Sequence, residues 1–276
     1  MGKIALPKKI EFLKEARPNQ KQIIIEPLFP GYGITLGNAL RRVLLSSLSG
    51  SAVVGVKIKG ADHEFMTLPH VKEDVLEIIL NLKQLRLKVY GEEMVRLELI
   101  VRGEKDVKAG DITKNSQAEI VNQDLVIAHI TDMAGSLEME IFANQGTGYE
   151  TIESRESKNH EIGYIEIDSA FSPILSVGIK VENIRVGKMT NWDKLILNIL
   201  SDGSITPEES FKIAANILID QFTALINKTT SDVEKETIAI EKIKPEMNQE
   251  QPLMITDETK IEEKKPKKRG RPRKNQ

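Results

Sequence analysis

A segment that is apolar on nearly every side, Pro207 to Ile226, most limits what this chain can fold into. Thr206 offers an N-cap hydroxyl, Pro207 suits the first helical position, and Glu209 completes a capping box. At helical spacing, Phe211, Ala214, Ala215, Leu218, Phe222 and Leu225 form one stripe, and Ile213, Ile217, Ile219 and Ile226 fall outside it. A helix apolar nearly all round needs cover on more than one side. In a chain of 276 residues, part of that cover is expected from a partner subunit.

A second helix is predicted over Thr35–Leu48, with Gly50 as its stop. Leu36, Ala39, Leu40, Val43 and Leu44 make its apolar face. At about 100° per residue from Leu36, Arg41 falls near 140°, Leu45 near 180°, Asn38 near 200° and Arg42 near 240°. Leu45 is therefore expected to point away from the core, flanked by two arginines and an amide. Two readings stay open: a solvated face with one stray leucine, or an apolar anchor ringed by arginine at the centre of a protein interface.

Between the helices the pattern is mostly strand. Leu85, Leu87 and Val89 alternate with polar residues, as do Val95, Leu97 and Leu99, and Gly91 between them predicts a hairpin. Leu137, Met139 and Ile141 alternate likewise. Further strands are expected near 163–168, 175–187 and 194–200, with a turn at Asp202-Gly203. A short helix is expected over 71–82, with Val71, Val75, Ile78, Ile79 and Leu82 on one face. Strands and helices do not alternate as βαβ units, so the fold class is α+β.

A catalytic reading finds little footing. Gly31, Gly33 and Gly37 are spaced G-x-G-x-x-x-G, one residue off the dinucleotide fingerprint, with no P-loop Lys-Ser/Thr after them. They read as glycines that let a strand turn sharply into a helix. There is no cysteine, so a disulfide, a thiolate zinc site and a cysteine nucleophile are excluded, and a reducing, cytoplasmic setting is expected. His63, His70, His129 and His160 show no i, i+3 or i, i+4 pair, so no helical metal face is expected. Trp192 reads as a packing or surface residue. No catalytic residue, metal or cofactor is expected. No run of eighteen apolar residues exists for a membrane span, and the N-terminus fits neither a signal peptide nor a myristoylation signal.

Charge is divided unevenly. Residues 1–226 carry 26 Lys+Arg against 31 Asp+Glu, and residues 227–276 carry 13 against 10. The final thirteen residues, Lys264 to Gln276, hold eight basic residues and no acidic one. Residues 228–276 lack aromatics and hold Pro245, Pro252, Pro266 and Pro272, a composition expected to remain disordered. The run Lys268-Arg269-Gly270-Arg271-Pro272-Arg273-Lys274 contains an R-G-R-P core. A glycine-centred peptide can follow the narrow, strongly negative A·T minor groove with arginines entering on either side, and such motifs resemble AT-hooks. A generic basic tail that binds polyanions loosely is the other reading.

Longer blocks carry a family resemblance. Glu26-Pro-Leu, the stretch Gly31-Tyr-Gly-Ile-Thr-Leu-Gly-Asn-Ala-Leu-Arg-Arg-Val-Leu-Leu-Ser-Ser-Leu48, His63-Glu-Phe, Glu73-Asp-Val-Leu-Glu-Ile-Ile-Leu-Asn-Leu-Lys83, Asp168-Ser-Ala-Phe-Ser-Pro173, Asp193-Lys-Leu and Asp202-Gly-Ser-Ile-Thr-Pro-Glu-Glu209 together resemble the α subunit of bacterial RNA polymerase over about residues 10–228. The resemblance implies a non-catalytic subunit of a nucleotidyltransferase complex that homodimerises and nucleates assembly, one copy docking the β subunit and the other β′. It implies a dimerisation subdomain, a sheet plus two long helices, formed from 1–50 and 174–228. A β-rich insert over 51–173 interrupts it, and the tail 229–276 follows. The implied β contacts are Asn38, Arg41, Arg42, Leu45, His63, Glu64 and Phe65. The implied β′ contacts are Lys83, Ile167, Asp193 and Lys194. The implied dimer interface holds Leu36, Leu40, Val43, Leu44, Phe211, Ala215, Leu218, Phe222 and Leu225.

Two features depart from the family pattern. Thr147 stands where a basic residue is common. The tail also lacks the family's compact helical C-terminal domain, so promoter DNA contact is expected from Lys268–Lys274 if from anywhere. Read without the resemblance, a homodimeric DNA-binding architectural protein acting through its tail is the alternative.

Overall fold

The computed structural model describes residues 4–243 apart from Ala16, Pro18, Glu92 and 156–161, with the backbone alone for 228–243. In chain order the elements are β1 (Lys9–Lys14), β2 (Gln20–Leu28), α1 (Tyr32–Ser46), β3 (Ser49–Ile58), α2 (Val75–Leu82), β4 (Leu87–Val89), β5 (Val95–Arg102), β6 (Lys105–Lys108), β7 (Ala118–Ile120), β8 (Val126–Ile130), β9 (Ser136–Thr147), β10 (Tyr149–Glu150), β11 (Tyr164–Glu166), β12 (Ser169–Ala170), β13 (Ile174–Val186), β14 (Met189–Ser201) and α3 (Pro207–Ile243). The paired strands run antiparallel, in keeping with an α+β fold.

Two sheets carry the structure. The first has the order β1-β2-β14-β13 and joins the two ends of the chain: Ile23 of β2 lies opposite Leu197 of β14. Its core gathers Ile23, Ile25 and Leu28, then Leu195, Leu197 and Ile199, with Leu40, Leu44 and Leu48 above them and Ala214 from the start of α3. The second sheet has the order β11-β3-β9-β5. Its inner face packs under α2 and the short ladders β4-β7 and β6-β8 around a separate, larger core. Strand β5 shows why this sheet forms: Val95, Leu97, Leu99 and Val101 are buried, while Arg96, Glu98, Ile100 and Arg102 face out, the period-two pattern of a half-buried strand.

The ends of α3 set its boundaries. Thr206 Oγ1 accepts from the Glu209 N–H at 3.3 Å and Glu209 Oε2 accepts from the Thr206 N–H at 3.4 Å, the capping box read from the sequence. The helix continues past Ile226 to Ile243. One compact unit ends at Ala224, and a second begins at Leu225.

Three expectations need correction. The hairpin between 85–89 and 95–99 does not form. Strand β4 pairs with β7 and β5 pairs with β9, because both alternating segments find better apolar partners elsewhere, and Gly91, with φ of 118°, only redirects the chain between them. Helix α2 starts at Val75, capped by the Asp74 carboxylate, which accepts from the Glu77 N–H at 2.7 Å. Val71 lies outside it, bridged to Ile130.

The third correction concerns α1. Its buried residues are Gly33, Gly37, Leu40 and Leu44, a face turned by about 70° from Leu36 on the helical wheel. A Cβ on Gly33 would lie 2.8 Å from Val181 Cγ1, and one on Gly37 would lie 3.0 Å from Leu195 Cδ1. The glycines therefore mark where the helix backbone rests on β13 and β14, and a count of apolar side chains passes over them.

Gly33→Val should lower stability by about 3 kcal/mol, because overpacking at a helix–sheet contact forces side chains off their rotamers. Urea unfolding of the full chain measures this, and Ile34→Val, at an exposed position on the next residue, should change little.

Candidate functional site

The start of α1 is fixed by a residue from the other end of the sequence. Asp193 on β14 is buried, 6% exposed, and its Oδ2 accepts from the Gly31 N–H at 2.9 Å and the Gly33 N–H at 3.0 Å. Gly31 has φ of 86° and no side chain to cap the helix, so the distant carboxylate meets the orphan N–H groups that a helix N-terminus presents. Beside it, Trp192 packs edge-to-face on Phe29 at 5.9 Å, and Phe29 on Tyr32 at 6.1 Å.

With its inner face held this way, α1 turns Asn38, Arg41 and Arg42 to solvent. None of the three side chains has an ion-pair or hydrogen-bond partner among the described residues. Leu45 differs from the wheel expectation: it is half-buried at the margin of the first core, and its carbonyl accepts from the Ser172 hydroxyl at 3.2 Å. It borders the arginine face rather than centring it.

His63 and Phe65 are exposed and Glu64 is half-buried. The Phe65 N–H donates to His63 Nδ1 at 3.3 Å, and the Phe65 ring is 75% exposed. Lys83 follows α2 and pairs with Asp168 at 3.5 Å. The Ile152 N–H at 2.9 Å holds the Asp168 carboxyl below the usual carboxylate range, burial opposes this, and the Lys83 charge reinforces it. Lys194 pairs with Glu26 at 3.7 Å.

Several residues assigned to interfaces lie inside the chain. Ile167 is 1% exposed in the second core and donates its N–H to the Val54 carbonyl, so its side chain has no surface to offer. Asp193 is engaged by the helix. Leu40 and Leu44 face the chain's own sheet. Leu36, Val43, Phe211, Ala215 and Leu218 are half-buried against that core, whereas Phe222 and Leu225 are about as exposed as each other, at 60% and 62%. Lys268, Arg269, Gly270, Arg271, Pro272, Arg273 and Lys274 lie outside the described residues, as does His160.

One cluster had no signal in the sequence. Glu73, 8% exposed, accepts from the His129 N–H at 2.7 Å and holds the His129 ring through Nδ1. Burial pushes the Glu73 carboxyl up, but its hydrogen bonds, first the one from the His129 N–H, outweigh this and bring it below the ordinary range. Residues 56 positions apart leave no spacing rule to find them. Among the described residues no group of three or more metal-ligating side chains converges, and no helix is long and apolar enough to cross a membrane.

Known proteins are similar to this chain over most of its length. Residues 56–172 match the RNA polymerase Rpb3/RpoA insert domain, a span that holds β5, β9 and β11 of the second sheet, the end of β3 and most of that sheet's core. A DNA-directed RNA polymerase subunit alpha from Desulfitobacterium hafniense is 48% identical over 242 residues, covering 85% of this chain and 76% of the relative. The subunit of that name from Carboxydothermus hydrogenoformans is 46% identical over 236 residues, covering 83% and 75%. That from Oceanobacillus iheyensis is 46% identical over 221 residues, covering 80% and 70%. The chain belongs to the bacterial RNA polymerase α subunit family. It is thereby a component of a multisubunit transcription enzyme.

Two outcomes follow. Asp193→Ala should cost about 2 kcal/mol of stability by stranding the buried Gly33 N–H and the part-buried Gly31 N–H, while Asp193→Asn, which keeps an acceptor, should cost less. Glu73 has a lowered pKa, so its contribution is present above the ordinary carboxylate range and is lost as pH falls through the lowered value. Melting temperature against pH should therefore drop on acidification below about pH 4.5, and Glu73→Gln should flatten that drop.

Proposed function

We propose that the chain is the non-catalytic scaffold on which the large polymerase subunits assemble: two copies pair, one docks β and the other docks β′, and nucleotidyl transfer takes place in those subunits. Its place of work on this reading is the cytoplasm. The observation that carries it is α3, where Phe222, on the same helical stripe as Phe211, Ala215 and Leu218, is 60% exposed and Ile219 beside it is 59% exposed. Large apolar side chains exposed side by side mark an interaction surface, and the half-buried Phe211, Ala215 and Leu218 continue that strip toward the first core. A second copy supplying the same strip would cover both.

The remaining surfaces suit the large subunits. Asn38, Arg41 and Arg42 beside Leu45 offer arginines next to an apolar edge, a composition typical of interface anchors, and the reading assigns them with the exposed Phe65 tip to β. Lys83 and Lys194 are the surface-accessible members of the set assigned to β′. Ile167 and Asp193 serve that surface from behind, by holding the backbone.

The basic segment supports a contact with DNA as well. Eight cationic residues in thirteen, with an R-G-R-P core, suit the A·T-rich minor groove, and phosphate contacts would make the affinity salt-dependent. Deleting 264–276 should weaken binding of the assembled enzyme to A·T-rich upstream DNA and lower its salt slope. Unchanged binding and unchanged A·T preference would exclude this role.

Phe222→Asp should convert the full chain from dimer to monomer in sedimentation velocity while the far-ultraviolet spectrum stays native. A variant that remains dimeric would remove α3 from the interface. In pull-down of co-expressed β, Arg42→Ala with Leu45→Ala should reduce recovery at least about tenfold, the effect of losing interface anchors.

A further inference from the structure

The link between β3 and α2, residues 59–74, is a loop of a length that is uncommon inside a compact unit unless it serves a function. Almost all of it is tied down. Ala61 and Leu68 are buried in the second core. The Lys59 N–H donates to the Glu138 carbonyl at 3.0 Å, and the Val75 N–H to the Met66 carbonyl at 3.0 Å. Thr67 bridges to Asp74 across the base. At the tip, Asp62 to Phe65, no side chain enters the core, and the Phe65 ring stands 75% exposed.

The far side of the loop is laced to the end of β8. The Lys72 N–H donates to the His129 carbonyl at 3.0 Å, the Thr131 N–H donates to the His70 carbonyl at 2.9 Å, and Val71 bridges to Ile130 between them. A histidine–carboxylate pair closes each end of this zipper. At one end the buried Glu73 holds both the backbone N–H and the ring of His129, whose Nε2 lies 3.7 Å from Asp106. At the other end His70 Nδ1 lies 3.4 Å from Asp132. Among the described residues His70 is the one non-glycine residue with positive φ, at 63°. L side chains adopt that region at a cost, and such positions persist where the surroundings over-determine them and tend to mark functional sites.

We propose that the two histidine–carboxylate pairs form a clamp that presents the Asp62–Phe65 tip to the β subunit in a fixed pose, making His70, Glu73, His129 and Asp132 positioning residues for docking. The proposal rests on the reading above that this tip meets β. A preformed tip binds without the entropy loss of ordering a long loop at the moment of association. Loosening the clamp therefore lowers affinity even where the fold is kept.

The test uses the full chain and measures capture by the β subunit together with the melting temperature. Phe65→Ala reports whether the tip docks at all. His70→Gly removes one pair and also relieves the left-handed backbone cost, so the protein should melt no lower than wild type while capture falls by about tenfold. Glu73→Ala should reduce capture similarly. Glu73→Gln, which still accepts the His129 N–H and can pair with a neutral ring, should restore it. If Phe65→Ala weakens capture but His70→Gly and Glu73→Ala bind like wild type, the clamp does not position the tip and the docking reading survives. If His70→Gly loses capture only in step with a lower melting temperature, the role is merely structural and the proposal fails. If Phe65→Ala binds like wild type, the tip does not dock and both ideas fall.

Discussion

The placement of every surface residue on α1 depends on one buried carboxylate. Asp193 reaches from β14 to the first N–H groups of α1, joining residues some 160 positions apart. A carboxylate is costly to bury unless it is hydrogen-bonded, and a free N–H at a buried position such as Gly33 is costly too. Each satisfies the other, and the helix N-terminus favours the negative charge. Gly33 and Gly37 then let the helix lie against the sheet, Leu40 and Leu44 enter the core, and Asn38, Arg41 and Arg42 are left facing solvent. The outward face is a consequence of how the inward face is anchored.

The same division of labour recurs across the chain. The first sheet is built from β1 and β2 at one end of the sequence and β13 and β14 at the other. It holds the two helices whose outer sides carry the exposed apolar and arginine groups. The second sheet has its own core and brings the loop tip at Phe65 and the Lys83–Asp168 pair to its surface. Buried residues such as Ile167 and Asp193 hold backbone within the chain: the Ile167 N–H meets the Val54 carbonyl and the Asp193 carboxylate meets the start of α1. Polar groups inside, such as Ser169, which donates to the Val53 carbonyl at 2.6 Å, are satisfied locally.

Much of this was legible in the sequence where the signal is local. The capping box at Thr206–Glu209 and the period-two pattern of β5 each report a nearby physical need, and the structure meets both, whereas the apolar excess of α3 is covered only in part, with Ile213, Ile219 and Phe222 left exposed. Strand partners were not legible: 85–89 and 95–99 look like two halves of a hairpin because alternation states which face is buried, not which neighbour supplies hydrogen bonds. The inward face of α1 was read about 70° off because a helix that rests on its glycines hides its contact from a count of side chains. Asp193 and Ile167 carried no mark of burial, since an acidic residue and an isoleucine on strands can face either way. The Glu73–His129 pair depends wholly on tertiary placement. Strands β1 and β2 went unread, although Ile23-Ile24-Ile25 sits inside a sheet covered on both sides at that point.

The central claim is that two copies of this chain organise the large polymerase subunits. The most direct test is the native mass of the particle recovered when the full chain is co-expressed with β and β′. The account predicts two copies of this chain with one β and one β′. A chain that dimerises but is always recovered without the large subunits would contradict it.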